Sequence, residues 1–251
     1  MQSLVLLKRD WYEFRKYFIS YLVVWILLPV LLHLLLAIPL SRIVILEIQY
    51  LDYLNWASVG IWCICSSMVS FFETAIRMRK INYETRQIDS IIKSPISNFQ
   101  LLTMNCFRGV IFGIIQFFCA MAITCTLNNK YLGILDMLMV VIQMMNIALF
   151  FSVFGTLIGL IISNRIIFIQ LSLVIFIIIS FGMGSFIPLN SYPESYKTII
   201  NIFPIVTIFH NMQSVMTYND IQWMIFFLSI ILTALLFIVT LIASNRIFRK
   251  I

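Results

Sequence analysis

Six stretches of this 251-residue chain run for 20 or more residues without an Asp, Glu, Lys or Arg: 17–41, 53–72, 109–129, 137–164, 166–193 and 221–245. A helix rises about 1.5 Å per residue, so roughly 20 apolar residues cross the hydrocarbon of a bilayer, and a helix satisfies its own backbone polar groups there. The sequence therefore predicts an all-α integral membrane protein with six transmembrane helices. Composition agrees independently: 62% hydrophobic and 11% charged residues, with mean hydropathy +1.02, lie far from a soluble domain, in which about 25% are charged. Six spans and their connections use nearly all of residues 1–251, which are read as one transmembrane domain without room for a separate catalytic domain.

In a soluble protein a net charge of +7 would suggest nucleic acid. Here the positions of the charges set topology instead, and no nucleic-acid partner is expected. With a cytoplasmic N-terminus, 14 of the 17 Lys and Arg fall inside, and only Arg42, Lys130 and Lys197 fall outside. Acidic residues divide evenly, as expected when Lys and Arg alone bias insertion. Both termini are therefore expected in the cytoplasm.

Residues 198–219 also lack charge but carry Asn201, Pro204, His210, Asn211 and Gln213, and a seventh crossing would put Arg246, Arg249 and Lys250 outside. Residues 185–218 are read as an external, re-entrant region divided by Pro188, Pro193 and Pro204, with short helices at about 193–202 and 205–216. At the other end of the chain, Leu4, Leu7, Trp11, Phe14 and Phe18 recur at helical spacing among charged residues. Residues 1–18 are thus an expected amphipathic interfacial helix in contact with membrane lipid. It serves either as a topology anchor or as a contact for a cytoplasmic partner.

Chemistry-bearing residues are sparse. Cys63 and Cys65 are two apart, so they point to different faces of a helix, and no histidine is near in sequence; no metal site is expected. The predicted spans hold no formal charge, whereas ion-coupled carriers commonly keep ionisable groups at bilayer depth. Only two histidines, His33 and His210, are available, and Gly182, Gly184 and Ser185 do not form a nucleophile elbow. No Gly-rich phosphate loop with Lys-Ser/Thr occurs. Uphill transport by such a chain would need energy from outside the membrane. An ion-coupled secondary transporter and an intramembrane enzyme remain as alternatives.

The longest cytoplasmic connection, 73–100, is more specific. Ile88, Ile91, Ile92 and Ile96 recur near one helical face, with Glu84, Arg86, Asp89 and Lys93 elsewhere and Pro95 closing the run. The periodicity suits a helix at 84–95 that either lies on lipid headgroups or docks on a partner.

Here the chain resembles the type-2 export permeases of ABC transporters, which include drug, polysaccharide and nodulation-factor exporters. The run Arg86, Asp89, Ile91, Ile92, Ser94, Pro95, Ile96, Ser97 is similar to the family's acidic residue, paired aliphatics and "t-P-v-s" signature. Gly184, Ser185, Phe186, Ile187, Pro188, Leu189, Tyr192, Pro193, then Phe203, Pro204, Ile205, Val206, Thr207, resemble its "sG-x-f-f-P-l-x-x-l-P" and "n-P-l-t" segments. Tyr192 and Phe203 depart from the commoner leucine and asparagine. The resemblance implies that 84–95 is a coupling helix, with Glu84, Arg86, Ile88, Asp89, Ile91, Ile92, Lys93 and Pro95 docking on a cytoplasmic ABC ATPase subunit. ATP and Mg would be bound by that subunit, with no cofactor on this chain. It further implies a second copy of the chain as partner, a bacterial cytoplasmic (inner) membrane, and an external gate at Pro188, Pro193, Pro204 and His210. Tyr21, Trp25, Gln170, Phe176 and Ser180 are the implied pathway-lining residues. A hydrophobic, lipid-like or lipid-linked glycan substrate is the expected cargo.

The charge asymmetry yields a direct test of topology. Cysteines introduced at Asn129 and Ser191 in a cysteine-free background should react with an impermeant thiol reagent added outside intact cells, and one at Ser90 should not. Outside labelling at Ser90 would invert the assignment.

Overall fold

The structure, a computed structural model, describes residues 12, 14–44, 53–84, 97–129, 133–200, 206, 208–213 and 223–248. Among these the regular structure is entirely helical. Six helices are long and apolar enough to cross a membrane. They are α1 (Phe18–Ser41), α2 (Tyr53–Arg79), α3 (Asn98–Asn128), α4 (Ile134–Ile161), α5 (Arg165–Gly182) and, after a short α6 (Glu194–Ile200), α7 (Trp223–Phe248). α1 includes a π-helical turn at His33–Ala37, α5 ends in one at Ile178–Gly182, and α2 runs on into a third at Lys80–Glu84.

α2 is the centre of the bundle: 72% of its apolar stretch is buried, against 17% for α7. Its sequence explains why. Ser66, Ser67, Ser70, Thr74 and Ala75 are small, and all are buried. Gly109 and Gly113 on α3, and Gly155 and Gly159 on α4, repeat at four-residue spacing and so form a flat strip on each neighbour. A Cβ at Gly113 would collide with the Ser70 hydroxyl, one at Gly155 with the Phe71 carbonyl and Thr74 hydroxyl, and one at Gly159 with the Ala75 carbonyl. The three backbones therefore approach closely. Lipid offers no hydrophobic driving force between helices, so this close van der Waals contact is what holds them together.

Several polar groups inside the core pair across helices. The Asn105 side-chain amide donates to the Thr74 carbonyl at 3.1 Å and to the Thr156 hydroxyl at 2.9 Å, joining α3 to α2 and α4. The Trp62 indole donates to the Thr124 hydroxyl at 2.6 Å. α7 is attached by the Asn146 amide donating to the Ser229 hydroxyl, and by Asn98 Nδ2 donating to Asn245 Oδ1 at 2.7 Å.

One end of the bundle gathers the basic residues Arg77, Arg79, Lys80, Arg165 and Arg246. There Arg79 donates to the Ser163 carbonyl at 3.4 Å and the Tyr83 hydroxyl to the Leu160 carbonyl at 2.7 Å. Helix starts at this end are capped by side chains. Ser97 and Gln100 form a reciprocal capping box on α3, and Asn164 Oδ1 accepts from the Ile166 amide at 2.8 Å on α5.

The helix ends differ from the ends of the uncharged stretches. α2 continues as helix beyond residue 72 and α3 begins at Asn98, so Glu73, Arg77, Arg79 and Arg108 lie on the same helices as the uncharged stretches 53–72 and 109–129, beyond their ends. Glu, Arg and Lys are good helix formers, and no Gly or Pro interrupts 73–84. Within the uncharged stretch 166–193, α5 stops at Gly182 and Gly184 adopts φ 77°, a left-handed conformation suited to glycine. Of the expected interfacial helix at 1–18, residues 12 and 14–16 are helical and Tyr17 breaks the helix before α1. The rest of 1–18 lies outside the described residues, as do Arg86, Ile88, Asp89, Ile91, Ile92, Lys93, Pro95 and Pro204. Glu84 is the last residue of the π-turn following α2.

The glycine strips generate a stability prediction. Gly155→Leu should destabilise the folded protein in detergent by about 1–3 kcal/mol, the usual cost of overpacking, because the atoms it meets include the Phe71 backbone of α2. Leu235→Ala, at an exposed site on α7, should change the unfolding midpoint little.

Candidate functional site

α1 leans on the core through a backbone defect. Pro29 lies inside the helix and has no N–H, so the carbonyl of Trp25, four residues earlier, lacks its helical donor. The buried Gln116 side chain of α3 supplies one, donating to that carbonyl at 3.3 Å. A freed carbonyl in a membrane is tolerated only where a neighbour satisfies it, so this bond fixes where α1 docks.

Toward the start of α1 an aromatic cluster forms. Phe14, Tyr21 and Trp25 surround Phe112 of α3 at centroid distances of 5.5, 5.2 and 6.1 Å. The Arg108 guanidinium lies over the Phe112 ring at 5.2 Å, and its Nη2 donates to Glu73 Oε2 at 3.2 Å. The Tyr21 hydroxyl sits beside the same carboxylate, and Arg77 adds a second positive charge nearby. Glu73 and Arg108 are largely enclosed, with 16% and 8% of their side chains exposed. The two charges thus neutralise each other where neither could be left alone cheaply.

Beside this pair a cleft of about 350 Å³ opens between the first two spans, lined by Tyr21, Val24, Trp25 and Leu28 of α1 and by Met68, Val69, Phe72 and Glu73 of α2. Its wall is apolar except at the Glu73 end. Such a slot suits an amphipathic molecule with an apolar body and a polar head.

A second cavity, of about 370 Å³, lies between α4 and α5, with Phe151, Phe154, Ile175 and Ile179 in its wall and Tyr196 and Val206 covering it. The cover is the segment after α5, which folds back over the start of α2. The Tyr53 hydroxyl donates to the Phe186 carbonyl at 2.7 Å, Ser185 Oγ to the Ile179 carbonyl at 2.9 Å, and Gln213 Nε2 to the Gly184 carbonyl at 3.0 Å. Gly60 admits this return, since a Cβ there would collide with the Ser185 carbonyl. Tyr192 and Tyr196 stack at 4.7 Å and donate to the Phe181 and Gly182 carbonyls at 2.7 and 3.4 Å. Burial, helped by Tyr196, pushes the Tyr192 phenol above its ordinary value, so it stays a donor through the physiological range.

The residues singled out from sequence do not converge on one site. Tyr21 and Trp25 stand together on the α1–α2 cleft. Gln170 is exposed on α5, Phe176 is half-buried against the main core, and Ser180 is buried in the π-turn with no hydrogen-bond partner for its hydroxyl among the described residues. Pro188 is half-buried before a 3-10 turn, Pro193 precedes α6, and His210 is exposed. Sequence reading missed Glu73, Arg108 and Phe112. The signal available was that Glu73 and Arg108 stand immediately beyond the uncharged stretches 53–72 and 109–129, at opposite-sign positions on consecutive spans.

Fold and site together define a multi-pass, all-helical membrane protein. Comparison with protein-family models, with curated proteins and with solved structures found no match to this chain.

The ion pair can be tested by a mutant cycle. Arg108→Met leaves the Glu73 carboxylate enclosed and should cost about 3–5 kcal/mol in detergent unfolding, whereas the double variant Glu73→Gln/Arg108→Met should regain most of it. Simple additivity of the two single changes would show that the pair is not coupled.

Proposed function

We propose that the chain is the transmembrane permease subunit of an ATP-driven exporter of the ABC type-2 class, moving a hydrophobic, lipid-like or lipid-linked glycan substrate out of the cytoplasm or inner leaflet. It would act in a bacterial cytoplasmic membrane as two copies bound to a separate ATPase, with both termini in the cytoplasm. The observation that carries this reading is the order of the signature runs along the topology. Arg86 to Ser97 falls between α2 and α3, and Gly184 to Pro193 follows α5 directly.

The packing gives this order a mechanical sense. α2 is a long helix whose first turns meet the returning segment at Tyr53 and Gly60, and whose far end leads through the π-turn at Lys80–Glu84 into 84–95. π-turns recur at functional bends because their backbone is less regularly bonded. A push at the coupling segment would therefore travel along α2 to the opposite end of the bundle. The α1–α2 cleft, apolar with one charged end, supports an amphipathic cargo.

An ion-coupled carrier is the second reading, and the Glu73 carboxylate on the cleft wall is what favours it. Its pairing with Arg108 weighs against it, since the carboxylate already has its counter-charge on this chain.

Ile91→Asp/Ile92→Asp puts charge on the face proposed to pack against the ATPase, where unpaired carboxylates cost several kcal/mol. The variant should insert normally yet lose ATPase association and substrate-stimulated hydrolysis. Asp89→Lys should weaken association in a salt-dependent way. Full coupling in the double variant would reduce 84–95 to a headgroup anchor.

A further inference from the structure

We infer that Arg79 is a catch that holds the start of α5 against the rest of the bundle, and that its release lets α5 swing about its far end and reshapes the cavity between α4 and α5. The catch is a property of this chain alone; it rests on the proposed function only for the force that would release it.

α5 needs such a hold because little else fixes its first half. Within Arg165–Ile177 only Phe168 and Ser172 are buried, and the Ser172 hydroxyl donates to the Phe168 carbonyl of its own helix at 2.7 Å. Leu173, Val174 and Ile177 are each more than half exposed. Lipid does not press a helix onto its neighbours, so specific contacts decide where α5 lies. At its far end they are plentiful: Ser185 Oγ donates to the Ile179 carbonyl, and the Tyr192 and Tyr196 hydroxyls to those of Phe181 and Gly182. That end is also the π-turn Ile178–Gly182, a place where a helix bends readily.

At its start the hold comes from α2. α4 stops at Ile161 and α5 begins at Arg165, so residues 162–164 make a short corner that sets the direction of α5. The last carbonyls of α4 have no donor within the helix and carry its partial negative charge. Arg79, Asn82 and Tyr83 stand at i, i+3 and i+4, on one side of α2 and its π-turn, and supply what is missing. The Tyr83 hydroxyl and Asn82 Nδ2 donate to the Leu160 carbonyl at 2.7 and 3.4 Å, and Arg79 Nη1 donates to the Ser163 carbonyl at 3.4 Å. Arg79 goes further, because its guanidinium lies over the Phe168 ring, 5.6 Å from the centroid. It thus grips the corner and a buried ring of α5 at once, and at 6% exposure little water competes for it.

Position makes the hold releasable. Arg79 is the residue before the π-turn Lys80–Glu84, and Asn82 and Tyr83 are on it. A pull on the chain beyond Glu84 therefore acts first on these three donors, whereas the centre of α2 stays locked by the glycine strips. Swinging the start of α5 alters the cavity of about 370 Å³, since Ile175 and Ile179 of α5 and Phe151 and Phe154 of α4 form its wall.

Spin-label distances test this in the full chain in lipid nanodiscs, with the native cysteines replaced. One pair, Leu149 on α4 and Ile166 on α5, reads the start of α5. A second, Leu149 and Leu235 on α7, is the reference, and all three sites are exposed. Arg79→Leu should broaden the first distribution and add a second population, while the reference pair stays as in the native chain. Phe168→Leu should do the same, and the double variant should be no broader than either single one, because both remove the same contact. Arg79→Lys keeps the charge without the planar group and should fall between. An unchanged first distribution in Arg79→Leu overturns the inference, as does equal broadening of both pairs, or broadening that adds in the double variant. If Arg79→Leu does not fold, Arg79→Lys and Phe168→Leu decide by the same readings. In complex with the proposed ATPase, an α5 that responds to Arg79→Leu but never to ATP leaves the catch standing and counts against the exporter instead.

Discussion

The rest of the structure depends on one contact: the small-residue face of α2 pressed between the glycine strips of α3 and α4. In a membrane the hydrophobic effect does not drive helices together, and what remains is close packing and hydrogen bonds between helices. Gly109, Gly113, Gly155 and Gly159 let the three backbones meet, and Asn105 ties all three through Thr74 and Thr156. The remaining spans are peripheral by comparison, with 28%, 22% and 17% of their apolar stretches buried for α1, α5 and α7.

That division between a tight centre and a loose rim gives the proposed function its physical form. α1 is held at a few points: the Gln116 bond to the Trp25 carbonyl, the aromatic cluster around Phe112, and the neighbourhood of Glu73 and Arg108. α1 and α5 each carry a π-turn, and α1 also carries Pro29, so both have built-in places to bend. A rigid α2 with hinged neighbours can open and close the cleft at its side without the core being remade. Charge sits at one end of that cleft and not along it, which suits a cargo with one polar end.

Much of the architecture was legible in the sequence because a bilayer imposes a simple rule. Uncharged stretches of sufficient length marked all six spanning helices, and the chain from Ser185 onward was read as something other than a plain span. Helix extent was less legible. Freedom from charge measures what hydrocarbon tolerates, whereas helix length depends on caps and breakers, so α2 runs on to Arg79 and α3 starts at the Ser97 cap. The glycine pairs were present in the sequence, yet their meaning needed the knowledge that they face the same helix. The Glu73–Arg108 pair was hidden for a related reason: each residue alone reads as a boundary charge, and their meeting depends on the register of α2 against α3. Tyr21 and Trp25 could be named from aromatic position on the first span, but nothing in one sequence separates their face of α1 from the lipid-facing side.

The central claim is that energy reaches this bundle from ATP hydrolysed on a partner and moves the loosely held helices against the fixed centre. The most direct measurement is a spin-label distance between Leu27 on α1 and Leu149 on α4, both exposed, with the native cysteines replaced and the chain purified together with the proposed partner ATPase in lipid nanodiscs. The distance should shift on adding ATP, Mg and vanadate, and should stay unchanged when the same additions are made to the chain without its ATPase. A distance in the isolated chain, reconstituted in sealed vesicles, that shifts under an imposed proton or sodium gradient and ignores ATP in the complex would contradict it.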